Sequence, residues 1–228
     1  MRSHSYGRIL AALTLALLLS GCGPRAELSP GPMVSEERAV AGVRTVRVAG
    51  SGTLIIQHGE REALTVEAGE AVLPQITTEV RDGALVIDVR DAGLFRSVGP
   101  IVYRLTVAEL HAIEAAGSTE VEADDVRGNT LTVRIAGSSD VRLAGAVSHQ
   151  EVTVSGSGDY DAAGLASATA ALNVQGSGDA TVRVQDALDV TIGGSGEVRY
   201  LGMPAVTQQL NGSGELVRIT ETEADGDA

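Results

Sequence analysis

A Gly-Ser pair recurs through the second half of this 228-residue chain, at Gly117-Ser118, Gly137-Ser138, Gly156-Ser157, Gly176-Ser177, Gly194-Ser195 and Gly212-Ser213. The steps are 20, 19, 20, 18 and 18 residues, and an earlier copy, Gly50-Ser51-Gly52, stands before a long insertion. A fixed period of this length marks an architecture built by stacking one small unit. Two residues before each glycine stand Ala115, Ile135, Val154, Val174, Ile192 and Leu210. Four before it stand Ile113, Val133, Val152, Leu172, Val190 and Gln208; four after it stand Val121, Val141, Tyr160, Ala180, Val198 and Leu216. Alternation on both sides of the glycine means two short strands, each with one buried face. The glycine between them lets the backbone turn where a Cβ would clash. Gly145, Gly164 and Gly202, eight positions after a repeat glycine, suggest another corner.

Like residues at such a period are what the stacked coils of a β-solenoid require, since each coil buries its apolar positions only against its neighbours. Residues 113–220 read as five to six coils of a parallel β-helix, with about 18–20 residues per coil. An antiparallel meander or sandwich is the rival, because strands every 8–12 residues fit that as well. Identical corners in successive copies favour the solenoid. Residues 41–112 form an irregular β region without the short period, including Leu85-Val86-Ile87-Asp88-Val89 and Val102-Tyr103-Arg104-Leu105-Thr106-Val107. Arg81-Asp82-Gly83-Ala84 reads as a turn between strands. The Gly50 copy suggests an early coil interrupted by 57–110, which places both halves in one all-β domain.

Three residues after each repeat glycine stands an acid: Glu120, Asp140, Asp159, Asp179, Glu197 and Glu215. Coils stacked about 4.8 Å apart would line these carboxylates along one edge, with neighbours repelling by about 1 kcal/mol even in bulk water. Two readings account for the row. As turn chemistry, Asp and Ser after Gly bond nearby backbone N–H groups, while Arg142 and Arg199 offset part of the repulsion. As a weak cation edge, the row would hold a hard ion such as calcium through carboxylate and carbonyl oxygens. No copy clusters several acids as one ion would want, and the spacing is not that of the nine-residue calcium repeat.

Catalytic patterns are scarce. His58, His111 and His149 are isolated in sequence, no Gly-x-Ser-x-Gly elbow occurs, and no His or Cys spacing suits a metal. A carbohydrate-active β-helix enzyme is the fairest catalytic alternative. Beyond the N-terminal region the only aromatic residues are Phe95, Tyr103, Tyr160 and Tyr200, too few for a sugar-stacking surface. Tyr160 and Tyr200 fall at inward positions; the apolar pair Leu94-Phe95 in its loop reads either as a contact for a partner or, the favoured reading, as a cap over one end of the stack.

The N-terminus carries a different kind of signal. Arg2 and Arg8 flank an apolar run over 9–19 that is shorter than the roughly 20 residues a spanning helix needs. Charged start and apolar middle make residues 1–21 a secretory signal. The run ends in Leu19-Ser20-Gly21-Cys22, which resembles the bacterial lipobox; that resemblance implies cleavage before Cys22 and lipid attachment to its sulfur. Cys22 is the sole cysteine, so no intrachain disulfide forms. Residues 22–39, with Pro24, Pro30, Gly31 and Pro32, read as a lipid-anchored tether reaching about 25 Å. Residues 40–220 are the folded domain, and 221–228 an acidic, frayed tail.

The whole chain has a net charge of −13 and no lysine. Removing residues 1–21 takes away Arg2 and Arg8 and no acids, leaving 15 basic and 30 acidic side chains and a net charge of −15. Such a surface repels phosphate backbones, which argues against nucleic acid as a partner. It also means that membrane attachment has to come from acyl chains rather than from a basic patch.

Three phrases carry a family resemblance: Leu73-Pro74-Gln75-Ile76-Thr77-Thr78-Glu79-Val80, Asp82-Gly83-Ala84-Leu85-Val86-Ile87, and Leu110-His111-Ala112-Ile113-Glu114-Ala115-Ala116-Gly117-Ser118. With the Gly-Ser-Gly-Asp repeats, they resemble successive blocks of the head GIN domain family of auto-transporter adhesins over about residues 40–220. The resemblance implies a right-handed parallel β-helix, brings no catalytic residues, and fits a bacterial lipoprotein. The expectation is therefore a non-catalytic envelope protein that binds a protein or glycan partner, in adhesion or envelope organisation, alone or as a homo-oligomer. A carbohydrate-active enzyme and an envelope sensor accessory are the alternatives.

Overall fold

A computed structural model of the chain describes residues 29–90 and 99–224. Cys22 and Phe95, and with them the expected lipid site and loop cap, lie outside the described residues. The stack is built from β2 (Thr45–His58), β7 (Ala112–Gly137), β8 (Asp140–Gly156), β9 (Tyr160–Gly176) and β10 (Ala180–Ile192), each long enough to bend around corners. Consecutive members pair in parallel; β11 (Glu197–Leu201) and β12 (Ala205–Leu210) form the next coil on β10, and β13 (Glu215–Arg218) stacks on β11 beyond it. This is a parallel β-solenoid, and the parallel register removes the antiparallel rival.

The register follows the repeat. Gly50 pairs with Gly117, Gly137 with Gly156, and Gly156 with Gly176. Irregular steps at Ala123/Val126 and Arg142/Ala144 mark the second corner, where Gly145 has a φ of 134°. Inward positions two and four residues before the glycine are buried in every copy from Ala115 to Ile192, and those four residues after it from Val121 to Val198. They join one continuous core. A linked pair of polar residues enters that core. Tyr160 donates its hydroxyl to Gln150 Oε1 at 2.8 Å, and Gln150 Nε2 donates to the Leu165 carbonyl at 3.3 Å.

The irregular first region is more orderly than its sequence suggests. β5 (Ala84–Val89) and β6 (Val102–Val107) both pair in parallel with β2, so together they lay down the first coil in space although they follow β2 in the chain. β3 (Ala63–Gly69) adds to β6, β4 (Ile76–Arg81) adds to β5, and both additions are antiparallel. The β4–β5 hairpin turns at Asp82 and Gly83, whose φ values of 50° and 78° are those of a tight two-residue turn.

Two expected boundaries move. The tether does not extend to residue 39, because Met33–Arg38 forms β1, antiparallel to β3 at the edge of the sheet. Glu36 and Glu37 lie exposed on this edge strand, where charge discourages further pairing. Arg38 anchors it: Nη1 donates to the Ile76 carbonyl at 2.7 Å and to Thr78 Oγ1 at 3.2 Å, and Nη2 donates to the Leu73 carbonyl at 3.2 Å. At the other end, Glu221–Ala224 is not frayed but forms one helical turn, α1, tied down by Arg183.

Candidate functional site

The acidic row sits on the first corner of each coil. That corner is shaped by backbone: Ser138 N–H donates to the Gly117 carbonyl, Ser157 to Gly137 and Ser177 to Gly156, each at 2.8 Å. A Cβ on Gly137 would lie 2.7 Å from the Gly117 oxygen, and φ there is 85°. Only glycine permits that approach in that conformation.

Glu120, Asp140, Asp159, Asp179 and Glu215 are exposed and Glu197 is half-buried, so all six carboxylates reach one outer edge. The aspartates are engaged with the next coil. Asp140 Oδ1 accepts the Asp159 N–H at 3.1 Å, Asp159 Oδ1 accepts the Asp179 N–H at 2.9 Å, and Asp179 Oδ1 accepts the Glu197 N–H at 2.7 Å. Each carboxylate therefore satisfies a backbone donor one coil onward. Glu120 accepts from Thr53 Oγ1 at 3.3 Å, toward the preceding coil. These are the backbone bonds that turn chemistry requires, made between coils instead of within one. Among the described residues, no group of three or more acids, histidines or cysteines is gathered as a metal would need.

The arginines behave differently from one another. Arg199 lies 3.6 Å from Glu197, in the row, whereas Arg142 reaches away from it to Asp161 at 3.2 Å. Asp161 is the residue that reading the row alone misses. It stands two positions beyond Asp159, at the same place in its repeat as Arg142, and the two pair in the regular register just before the second-corner shift. Together Arg142, Asp159, Asp161, Asp179 and Arg199 line a cleft of about 180 Å³. Ile219 and Ala224 from the chain end close one side of it.

That closure depends on a second unforeseen contact. Arg183 Nη2 donates to Glu221 Oε2 at 2.6 Å, while its Nε donates to the Ala163 carbonyl at 2.7 Å. The guanidinium holds the Glu221 carboxyl below the ordinary glutamate range. The histidines do not converge: His149 Nδ1 pairs with Thr169 Oγ1 at 2.8 Å, and His111 lies 3.7 Å from Glu109 on an exposed surface. Tyr160 is buried, and burial pushes its phenol pKa up; Tyr200 packs half-buried against the core. Both occupy the inward positions expected of them.

The family model "Putative auto-transporter adhesin, head GIN domain" (DUF2807) matches residues 43–204, and the chain belongs to that family. A solved "putative adhesin" from Bacteroides fragilis is similar with a TM-score of 0.68 and 18% identity, over 82% of this chain and 97% of its own. Another "putative adhesin", from Parabacteroides distasonis, gives a TM-score of 0.51 and 21% identity, over 83% of this chain and 98% of its own. Those likenesses establish the fold. No curated protein matches the sequence.

Proposed function

We propose that this chain is a non-catalytic, adhesin-type binding protein of the cell envelope, anchored to a membrane by lipid on Cys22. The solenoid is then the part that meets a protein or glycan partner. Family membership carries the adhesin reading. The site chemistry supports it, since the repeat aspartates are held by backbone donors of the next coil. Among the described residues no helix is long and apolar enough to cross a membrane. The lipid anchor rests on Leu19-Ser20-Gly21-Cys22 alone.

Metabolic labelling with palmitate or glycerol tests the anchor. Label should be lost in Cys22→Ala, and label that persists would remove the anchor from this reading. Crosslinking in intact cells, with the same variant as the unanchored control, should then capture a partner that depends on anchoring.

One observation favours a carbohydrate-active enzyme as second reading, namely that Asp159, Asp161 and Asp179 share one cleft. Glycan hydrolysis that is abolished by Asp161→Asn would establish it in place of the first. Calcium is the ion to try on the acidic edge. Neither heat by calorimetry nor a rise in melting temperature at millimolar ion would end that idea.

A further inference from the structure

The last coil differs from every other. In β12, Val206, Gln208 and Leu210 occupy the register positions of Leu188, Val190 and Ile192 in β10. Those β10 side chains are buried, whereas all six residues of β12 are exposed, Val206 at 39% and Leu210 at 43%. Met203, just before the strand, is 81% exposed. Among the described residues β12 is hydrogen-bonded only to β10, so its other edge presents free N–H and C=O groups. The helical turn α1 does not cover it, because it is tied to Arg183 beside the acidic cleft.

We propose that this end pairs with a second copy of the chain, β12 running antiparallel to its counterpart about a twofold axis at Gln208. Charge selects that occupant. The chain carries a net charge of −13, yet residues 202–214 contain no charged side chain. Two acidic bodies can therefore meet here without bringing carboxylates together, as contact along the acidic edge would. The opposite end of the solenoid lacks this neutrality, with Glu36, Glu37 and Arg38 on β1 and Glu79 and Arg81 on β4.

The strand is also self-complementary, which a twofold interface demands. Directly opposed residues of an antiparallel pair share a face. An axis at Gln208 sets Val206 against Leu210 of the second copy on each side, and sets the two Gln208 amides against each other. Thr207 then opposes Gln209 on the outer face. Across Val206–Leu210 each opposed pair is apolar with apolar or neutral polar with neutral polar, Ala205 meets the neutral Asn211, and both free edges are satisfied.

The test is cysteine crosslinking of the full chain in the cells that export it. Gln208→Cys should give a disulfide dimer on a non-reducing gel, well above the parent chain, whose only cysteine is Cys22. Ser155→Cys, exposed on an inner coil, should stay at the parental level. Adding Leu210→Glu to Gln208→Cys should reduce the dimer at least tenfold, with the circular dichroism of the fold retained. Sedimentation of the full chain in detergent supplies a readout that needs no cysteine, and should show the dimer for the parent. A monomer there with no Gln208 crosslink overturns the proposal. So does equal crosslinking at Ser155, or an adduct at Gln208 with a different protein.

Discussion

The two ends of the solenoid solve the same problem in opposite ways. At the N-terminal end, β3 and β4 leave the parallel register and run antiparallel on β6 and β5, and β1 closes over β3. Arg38 threads three acceptors there, and the outer strands carry charges that discourage another strand from adding. At the C-terminal end β12 keeps an inward pattern, and among the described residues no strand pairs with its outer edge. A cap has to break the repeat, because any strand that continues it creates another open edge. The long insertion between the Gly50 and Gly117 copies is that break. After Gly212, β13 pairs with β11 and leaves the outer edge of β12 unpaired among the described residues.

The comparison makes its strongest claim about equivalent positions. Ile135 and Leu210 both stand two residues before a repeat glycine, but Ile135 is 1% exposed and Leu210 43%. Ile135→Ala should cost about 2–5 kcal/mol by denaturant unfolding, as a buried large-to-small change does. Leu210→Ala should cost the isolated chain less than about 1 kcal/mol. Equal losses would mean that the last coil is covered in solution.

Next in size is the cap itself. Arg38→Ala strips donors from the Leu73 and Ile76 carbonyls and frees β1. A loss of about 1.5–3 kcal/mol is expected, because the lost hydrogen bonds have a charged donor. Amide exchange should report opening of β1 and β4 before the C-terminal coils. Simultaneous opening would show that the cap is not a separate unit.

A smaller contrast sets Tyr160 against Tyr103. Tyr160 donates to Gln150, so Tyr160→Phe should cost about 1–3 kcal/mol by leaving a buried acceptor unmatched. The buried Tyr103 hydroxyl has no hydrogen-bond partner among the described residues, and Tyr103→Phe should be neutral or stabilising. Burial pushes the Tyr103 pKa from 10.0 up to about 12. Its contribution is thus present below the unfolded value and is lost as pH rises through the folded one. Melting temperature should fall across that alkaline window, and less steeply in Tyr103→Phe.

The smallest effect concerns the chain end. Glu221 has its pKa lowered by Arg183, so its contribution is present above the ordinary value and is lost as pH falls through the depressed one. Exchange of the amides over 219–224 should quicken on acidification, and Glu221→Gln should show that faster exchange already at neutral pH. No change in either condition would leave the tail held by something other than this ion pair.

Much of the fold is legible in the sequence because stacking imposes local rules at regular intervals. The glycine at each corner, the alternation on both sides and the turn at Asp82-Gly83 are short-range consequences of backbone sterics. The first coil was hidden because its strands, β5 and β6, are out of sequence order relative to β2. Strand β1 was hidden because an edge strand and a solvated linker share a charged composition. At the candidate site, the acidic row could be listed from its period. So could Asp161, which stands five residues after Gly156 as Arg142 stands five after Gly137; only the side-chain contact and the shared cleft needed the structure.

The sequence by itself determined the repeat, the corner chemistry, the inward residues and the acidic edge, since each follows from backbone geometry within one coil. Tertiary structure alone decided which coil comes first, what caps it, and which carboxylates share a cleft. It also decided that residues obeying the same inward rule are buried in the middle and exposed at the end. The reason is that burial in a stack belongs to the neighbouring coil, and a strand's own residues do not encode whether that neighbour is present.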